Sequence, residues 1–84
     1  MTRKDITIKK DEGLDAKPIA LLVQQASFYD SQIYIEIENK HINAKSIMGM
    51  MSLRLTGGET ITVAAEGSDE EKAVAGIEKF FADL

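Results

Sequence analysis

The chain has no cysteine and no tryptophan, one proline (Pro18) and one histidine (His41). Without cysteine there is no disulfide, no thiol nucleophile and no thiolate metal site, and one histidine excludes a multi-histidine metal centre. A chain without disulfides suits the cytosol. Long hydrophobic runs are missing too: the longest, Ile19 to Val23, falls far short of the roughly 18 apolar residues that mark a membrane span. After Met1-Thr2-Arg3-Lys4-Asp5 the residues alternate polar and apolar, unlike the continuous apolar region of a signal peptide. The mature protein is therefore expected to be the whole chain, cytoplasmic and without a membrane partner.

What is present is an 84-residue chain, one domain's worth over residues 1–84. A core of that length buries only about 60% of the surface its unfolded form exposes, which excludes a multidomain enzyme. Hydrophobic residues make up 44% and charged residues 29% of the chain, and its mean hydropathy is −0.14. That is the composition of an ordinary globular domain. Fourteen acidic residues against ten basic ones leave a net charge of −4. This balance argues against a nucleic acid held by phosphate neutralisation, so no direct nucleic-acid partner is expected.

Short segments of period two alternate with segments of period 3.6. Ile6 and Ile8 fall on one face of a first strand. Asp15 then stands as a helix N-cap with Pro18 in the tolerated first turn, and Ile19, Leu22, Val23 and Ala26 make an i, i+3, i+4, i+7 stripe. Ile33, Ile35 and Ile37 share one face of a second strand, which turns at Glu38-Asn39-Lys40 into a short strand around His41-Ile42-Asn43. A short helix runs from Ser46 towards Leu53, Gly57-Gly58 makes a turn, and Ile61, Val63 and Ala65 alternate through a last strand. Ser68 and Glu71 have capping-box spacing, ahead of a helix whose apolar face carries Ala73, Val74, Ile77, Phe80, Phe81 and Leu84. The order β-α-β-β-α-β-α predicts an α+β fold with helices packed on one face of an open, mainly antiparallel sheet.

Two segments stand out. In Gly13-Leu14-Asp15-Ala16-Lys17-Pro18, free amides at a helix N-terminus and the Lys17 cation favour an anion, while Asp15 equally satisfies that end as an N-cap; the cap is the simpler reading. In Asn43-Ala44-Lys45-Ser46-Ile47-Met48-Gly49-Met50-Met51, Ser46 is a natural N-cap. A phosphate on Ser46 would also meet the helix amides, with Lys45 adjacent. At 100° per residue, Ile47, Met48 and Met51 point to one sector of this helix, and Met50 and Leu53 to a roughly opposite one. A short helix on a sheet buries one sector well. The other is either an adaptable apolar recognition patch or is covered by neighbouring loops.

Other candidates are weaker. His41 sits near a hairpin turn with no serine or cysteine positioned for a triad, so it reads as a surface residue. Asp11, Glu12 and Asp15 lack a ligand-loop pattern for magnesium. The run Asp69-Glu70-Glu71 is explained by the dipole of the last helix. Neither a metal nor another cofactor is implied.

The two segments, their separation, the element order and the Gln24-Gln25-Ala26-Ser27 helix end together resemble the HPr family, the small phosphocarriers of the bacterial sugar phosphotransferase system, over the whole chain. The resemblance implies an open-faced β-sandwich: a four-stranded antiparallel sheet covered on one face by three helices. It also marks a departure. Family carriers have Gly-x-His-Ala-Arg-Pro, whose histidine takes a phosphoryl group from enzyme I and passes it to enzyme IIA proteins. Here Asp15 holds the histidine position and Lys17 the arginine position. A carboxylate lacks the imidazole lone pair, an acyl phosphate usually needs a metal and a built site, and lysine lacks the bidentate fork of arginine. His41, in the hairpin, cannot substitute.

The serine segment keeps the family pattern. In Gram-positive relatives that serine is phosphorylated by HPr kinase/phosphorylase, and the phosphoserine form binds catabolite control protein A, a LacI-type regulator. The resemblance therefore implies Ser46 as a regulatory phosphorylation site, with Ile47, Met48 and Met51 as the adjoining protein contact and Lys17 and Lys45 beside them. Loss of the histidine with retention of the serine is similar to the Crh-type branch of the family, although that branch has glutamine where this chain has Asp15. The expected function is regulatory and non-enzymatic. A phosphocarrier using Asp15 with enzyme I and enzyme IIA is the alternative, and a binding module with Asp15 imitating a phosphorylated state is a third. The chain is expected to be a monomer or a homodimer that exchanges its N-terminal strand through Lys9-Lys10-Asp11-Glu12.

Overall fold

The computed structural model describes residues 1–8, 16–52 and 58–83, without the side chains of residues 16 and 17. The alternating segments form β1 (Thr2–Thr7), β2 (Gln32–Ile37), β3 (Lys40–Asn43) and β4 (Thr60–Glu66). The helical stripes form α1 (Ala16–Ala26), α2 (Ile47–Met51) and α3 (Glu70–Ala82). The strands make one antiparallel sheet in the order β1-β4-β2-β3. The last strand in sequence thus lies inside the sheet, between the first and second.

Register explains which residues are buried. Ile6 pairs with Ile61, and Val63 with Ile35, so apolar side chains of adjacent strands fall in rows on one face. They join Ile19, Leu22 and Ala26 of α1, Met50 of α2, and Ala73, Val74, Ile77 and Phe81 of α3 in one core cluster. Each helix turns its stripe to the same sheet face. The opposite face carries Arg3, Asp5, Tyr34, Glu36, Thr62 and His41, side by side in the register. This is the open-faced arrangement that the patterning predicts. Its physical basis is the alternation of apolar and polar residues along β2 and through Thr60–Val63 of β4, with Ile6 and Ile8 following the same period at the end of β1.

The β2–β3 hairpin turns where expected, with Glu38 in the left-handed region at φ 54°. Pro18 lies in the first turn of α1, where it interrupts no helical hydrogen bond. Three readings fall outside the described residues: the Asp15 cap, Leu53 and Leu84. So do the Lys9-Lys10-Asp11-Glu12 segment and Gly57, although its neighbour Gly58 is in a turn with φ 89°.

The capping box at α3 is a correction. Asp69, not Ser68, occupies the N-cap position and makes no side-chain cap bond, while Glu70 and Glu71 occupy the first turn. The Asp69 carboxylate instead accepts hydrogen bonds from the N–H groups of Asp30 and Ser31, each at 2.9 Å, and from the Ser31 hydroxyl. Ser31 is buried; a buried hydroxyl needs a partner, and the carboxylate supplies it. Glu70 Oε1 accepts from the Gly67 N–H at 3.3 Å. The end of α3 is therefore used to anchor the loop after α1, a role the local sequence does not reveal.

Candidate functional site

Ser46 stands where β3 ends and α2 begins. Its extended backbone (φ −96°, ψ 111°) and its Oγ, which accepts from the Gly49 N–H at 3.1 Å, make it the N-cap of α2. An Asx turn sets this up: Asn43 Oδ1 accepts from the Lys45 N–H at 2.8 Å, and the Ser46 N–H donates to the Asn43 carbonyl at 3.0 Å. Ser46 is half-exposed. Its hydroxyl is thus presented at the surface by a fixed turn, and its one cap bond is to a backbone N–H. Gly49 keeps this corner open, since a Cβ there would lie 3.2 Å from Ser46 Oγ and from Ile42 Cγ2.

Next to Ser46, α2 separates its two apolar sectors as the helical wheel requires. Met50 is fully buried, whereas Ile47, Met48 and Met51 are 46%, 83% and 49% exposed. Neighbouring loops among the described residues therefore leave the patch open. α2 packs on α1 and β3. Two further large apolar side chains are exposed at and beyond α1, Leu21 at 47% and Phe28 at 77%. Sequence reading missed both. Leu21 sits in an apolar run and Phe28 beyond a core stripe, so periodicity alone gives neither away.

Lys45 has a different place from the one its neighbourhood suggests. Its Nζ donates to the Tyr29 carbonyl at 2.6 Å, in the loop that follows α1. The ammonium thus satisfies a loop carbonyl three residues beyond the end of α1. It ties α1 to the turn that carries Ser46. Asp15 and the Lys17 side chain lie outside the described residues.

His41 is exposed on the open sheet face. Its ring centroid is 4.3 Å from that of Tyr34, and its Nε2 lies 3.7 Å from Glu36 Oε2. It belongs to β3 and not to the N-terminal end of α1. No group of three or more His, Cys, Asp or Glu side chains among the described residues gathers as a metal site. No described helix is long and apolar enough to cross a membrane. The hydrogen bonds from Ser31 and Asp30 hold the Asp69 carboxyl below the ordinary carboxylate value, the Ser31 hydroxyl contributing most.

The fold and this surface define a small α+β domain with a capped serine beside an open apolar patch. The chain matches the family described as the PTS HPr component phosphorylation site over residues 2–83, and it belongs to the HPr family. Proteins of this family are phosphocarriers or regulators and not enzymes. The chain is 46% identical over 80 residues to the HPr-like protein Crh of Halalkalibacterium halodurans, covering 95% of each chain. Among solved structures it is similar to the histidine-containing phosphocarrier protein of Mycoplasma, with a TM-score of 0.90, 33% identity, and coverage of 98% of this chain and 93% of that one. It is also similar to Crh of Bacillus subtilis, solved as a domain-swapped dimer, with a TM-score of 0.78, 36% identity, and coverage of 99% and 95%.

Proposed function

We propose that this chain is a non-transferring regulator of the HPr family, switched by phosphorylation of Ser46 and read by a LacI-type regulator of the catabolite control protein A kind. The observation that carries the reading is the pairing of a surface-presented Ser46 hydroxyl with Ile47, Met48 and Met51 open to solvent. In the step itself an HPr kinase/phosphorylase transfers the γ-phosphoryl group of ATP to Ser46 Oγ, forming the O–P bond and releasing ADP. The product carries about −1.5 to −2 charge beside an apolar surface. A partner then needs a basic site for the phosphate and an apolar site for the methionines. Flexible Met side chains suit such a contact.

The position that holds histidine in family carriers holds Asp15 here, which supports regulation over phosphoryl transfer. Membership of the family supports a cytoplasmic location. The swapped dimer of the Bacillus subtilis relative supports a homodimer formed by exchange of β1 as one state of this chain.

The test is phosphorylation with a purified HPr kinase and ATP, followed by mass mapping of the modified residue, against a parallel incubation with phosphoenolpyruvate and enzyme I. Label on Ser46 in the first and none on Asp15 in the second is the expected result. Label on Asp15 with Ser46 unmodified overturns the reading in favour of a carrier that hands its phosphoryl group to enzyme IIA.

A further inference from the structure

β1 is an edge strand held by little apolar burial. Within Thr2–Thr7 only Ile6 is buried, joined by Ile8 just beyond the strand. Its other side-chain ties are polar. Thr2 Oγ1 donates to Glu70 Oε2 at 2.7 Å, Lys4 Nζ lies 3.1 Å from Glu78 Oε2, and Asp5 Oδ1 accepts from Thr62 Oγ1 at 2.7 Å. Those contacts reach either α3 or the adjacent strand β4.

Arg3 reaches farther. Its Nη1 donates to Glu36 Oε1 at 2.7 Å, although Glu36 is on β2 and β4 lies between. The register explains how. Ala64 of β4 pairs with Arg3 on one side and Tyr34 on the other, and its methyl group is small enough for a guanidinium to pass. Ala64 is fully buried even though it belongs to the polar face, as a residue under such a bridge must be. The second oxygen of Glu36 faces His41 of β3 at 3.7 Å. One carboxylate thus joins side chains of β1, β2 and β3 across the open face.

We propose that the Arg3–Glu36 pair is the latch of a releasable strand: β1 leaves the sheet as a unit before the rest of the fold opens, and this pair sets how readily it does so. The rate at which β1 is traded with a second copy of this chain follows, a consequence that rests on the strand-exchange reading above. Exchange replaces each β1 contact by the same contact from another copy. Those contacts therefore cancel in the monomer–dimer equilibrium, but all of them must break on the way. The latch governs the speed of exchange and leaves its endpoint alone.

Amide hydrogen exchange on the full chain tests the latch without any dimer. The β1 amides are expected to be less protected than those of β2, which does not pair with β1. Arg3→Ala should increase their exchange by roughly two- to fivefold, the range of an exposed ion pair. High salt should bring wild type towards the variant, the reversed pair Arg3→Glu with Glu36→Arg should restore protection, and Lys72→Ala should leave it unchanged. Equal protection of β1 and β2 in wild type, or no response to Arg3→Ala, overturns the proposal. Mixing isotope-labelled and unlabelled protein and following mixed dimers by native mass spectrometry tests the consequence. Faster mixing for Arg3→Ala at an unchanged final dimer fraction is expected. Absence of mixed dimers in both proteins overturns the exchange reading alone, while a changed dimer fraction at an unchanged rate contradicts the latch.

Discussion

The Ser31 hydroxyl and the Ser31 N–H both donate to one oxygen of the Asp69 carboxylate, across 38 residues of sequence. The other oxygen accepts from the Asp30 N–H. This contact fixes the loop after α1 against the start of α3, and Lys45 holds the same loop through the Tyr29 carbonyl. The corner that presents Ser46 is therefore tied, through Lys45 and this loop, to the start of α3.

Acid should weaken the brace. The folded-state pKa of Asp69 lies below its ordinary value of 3.8, so its contribution is present above that value and is lost as pH falls through the lower folded value. Glu70 shifts in the same direction, chiefly through the Thr2 hydroxyl. Urea midpoints measured across the acid range should fall more steeply for wild type than for Asp69→Asn. Parallel curves would contradict the assignment.

Gly67 should be harder to replace than Gly58. Both have positive φ, 154° and 89°, but a Cβ at Gly67 would lie 2.7 Å from Ser31 Cα and Oγ, whereas one at Gly58 meets nothing within 4 Å. Gly67→Ala adds a backbone clash to the conformational cost. Chemical denaturation should show a loss of more than about 1 kcal/mol for Gly67→Ala, and a smaller loss for Gly58→Ala.

The two sectors of α2 and the core behind them should respond differently to truncation. Leu22 is fully buried, and Leu22→Ala should cost about 2–5 kcal/mol. Met48 is 83% exposed, and Met48→Ala should change stability by less than about 0.5 kcal/mol. Loss of partner binding in Met48→Ala at unchanged stability would assign the side chain to recognition.

Ser46 is both cap and candidate phosphoacceptor, and its variants must separate the two. Ser46→Ala removes the bond to the Gly49 N–H and should cost about 1 kcal/mol. Asparagine is an equally good cap and has no hydroxyl, so Ser46→Asn should keep wild-type stability while abolishing phosphorylation. Thermal melts of the three proteins check the difference.

Most of the architecture is legible in the sequence because it rests on alternation and helical stripes. Ile33, Ile35 and Ile37 declare a face of β2, and Ile19, Leu22 and Ala26 a face of α1. The exposed sector of α2 follows from its wheel once Met50 is seen to be buried. Contacts between residues far apart in sequence leave no local signature. The Ser31–Asp69 brace and the Arg3–Glu36 bridge are of this kind, and so is the placement of β4 between β1 and β2. The Lys45 contact is another: its neighbour in sequence is Ser46, and its ammonium meets the Tyr29 carbonyl, sixteen residues away.

The central claim is that phosphate on Ser46 and the α2 patch are read together. Titration calorimetry of a LacI-type catabolite regulator with this chain, phosphorylated and unphosphorylated, measures it directly. One charge-assisted hydrogen bond is worth about 1.5–3 kcal/mol, so the phosphorylated form should bind about ten- to a hundredfold more tightly, an advantage that Met48→Ala should reduce. Equal affinity of the two forms would contradict the account.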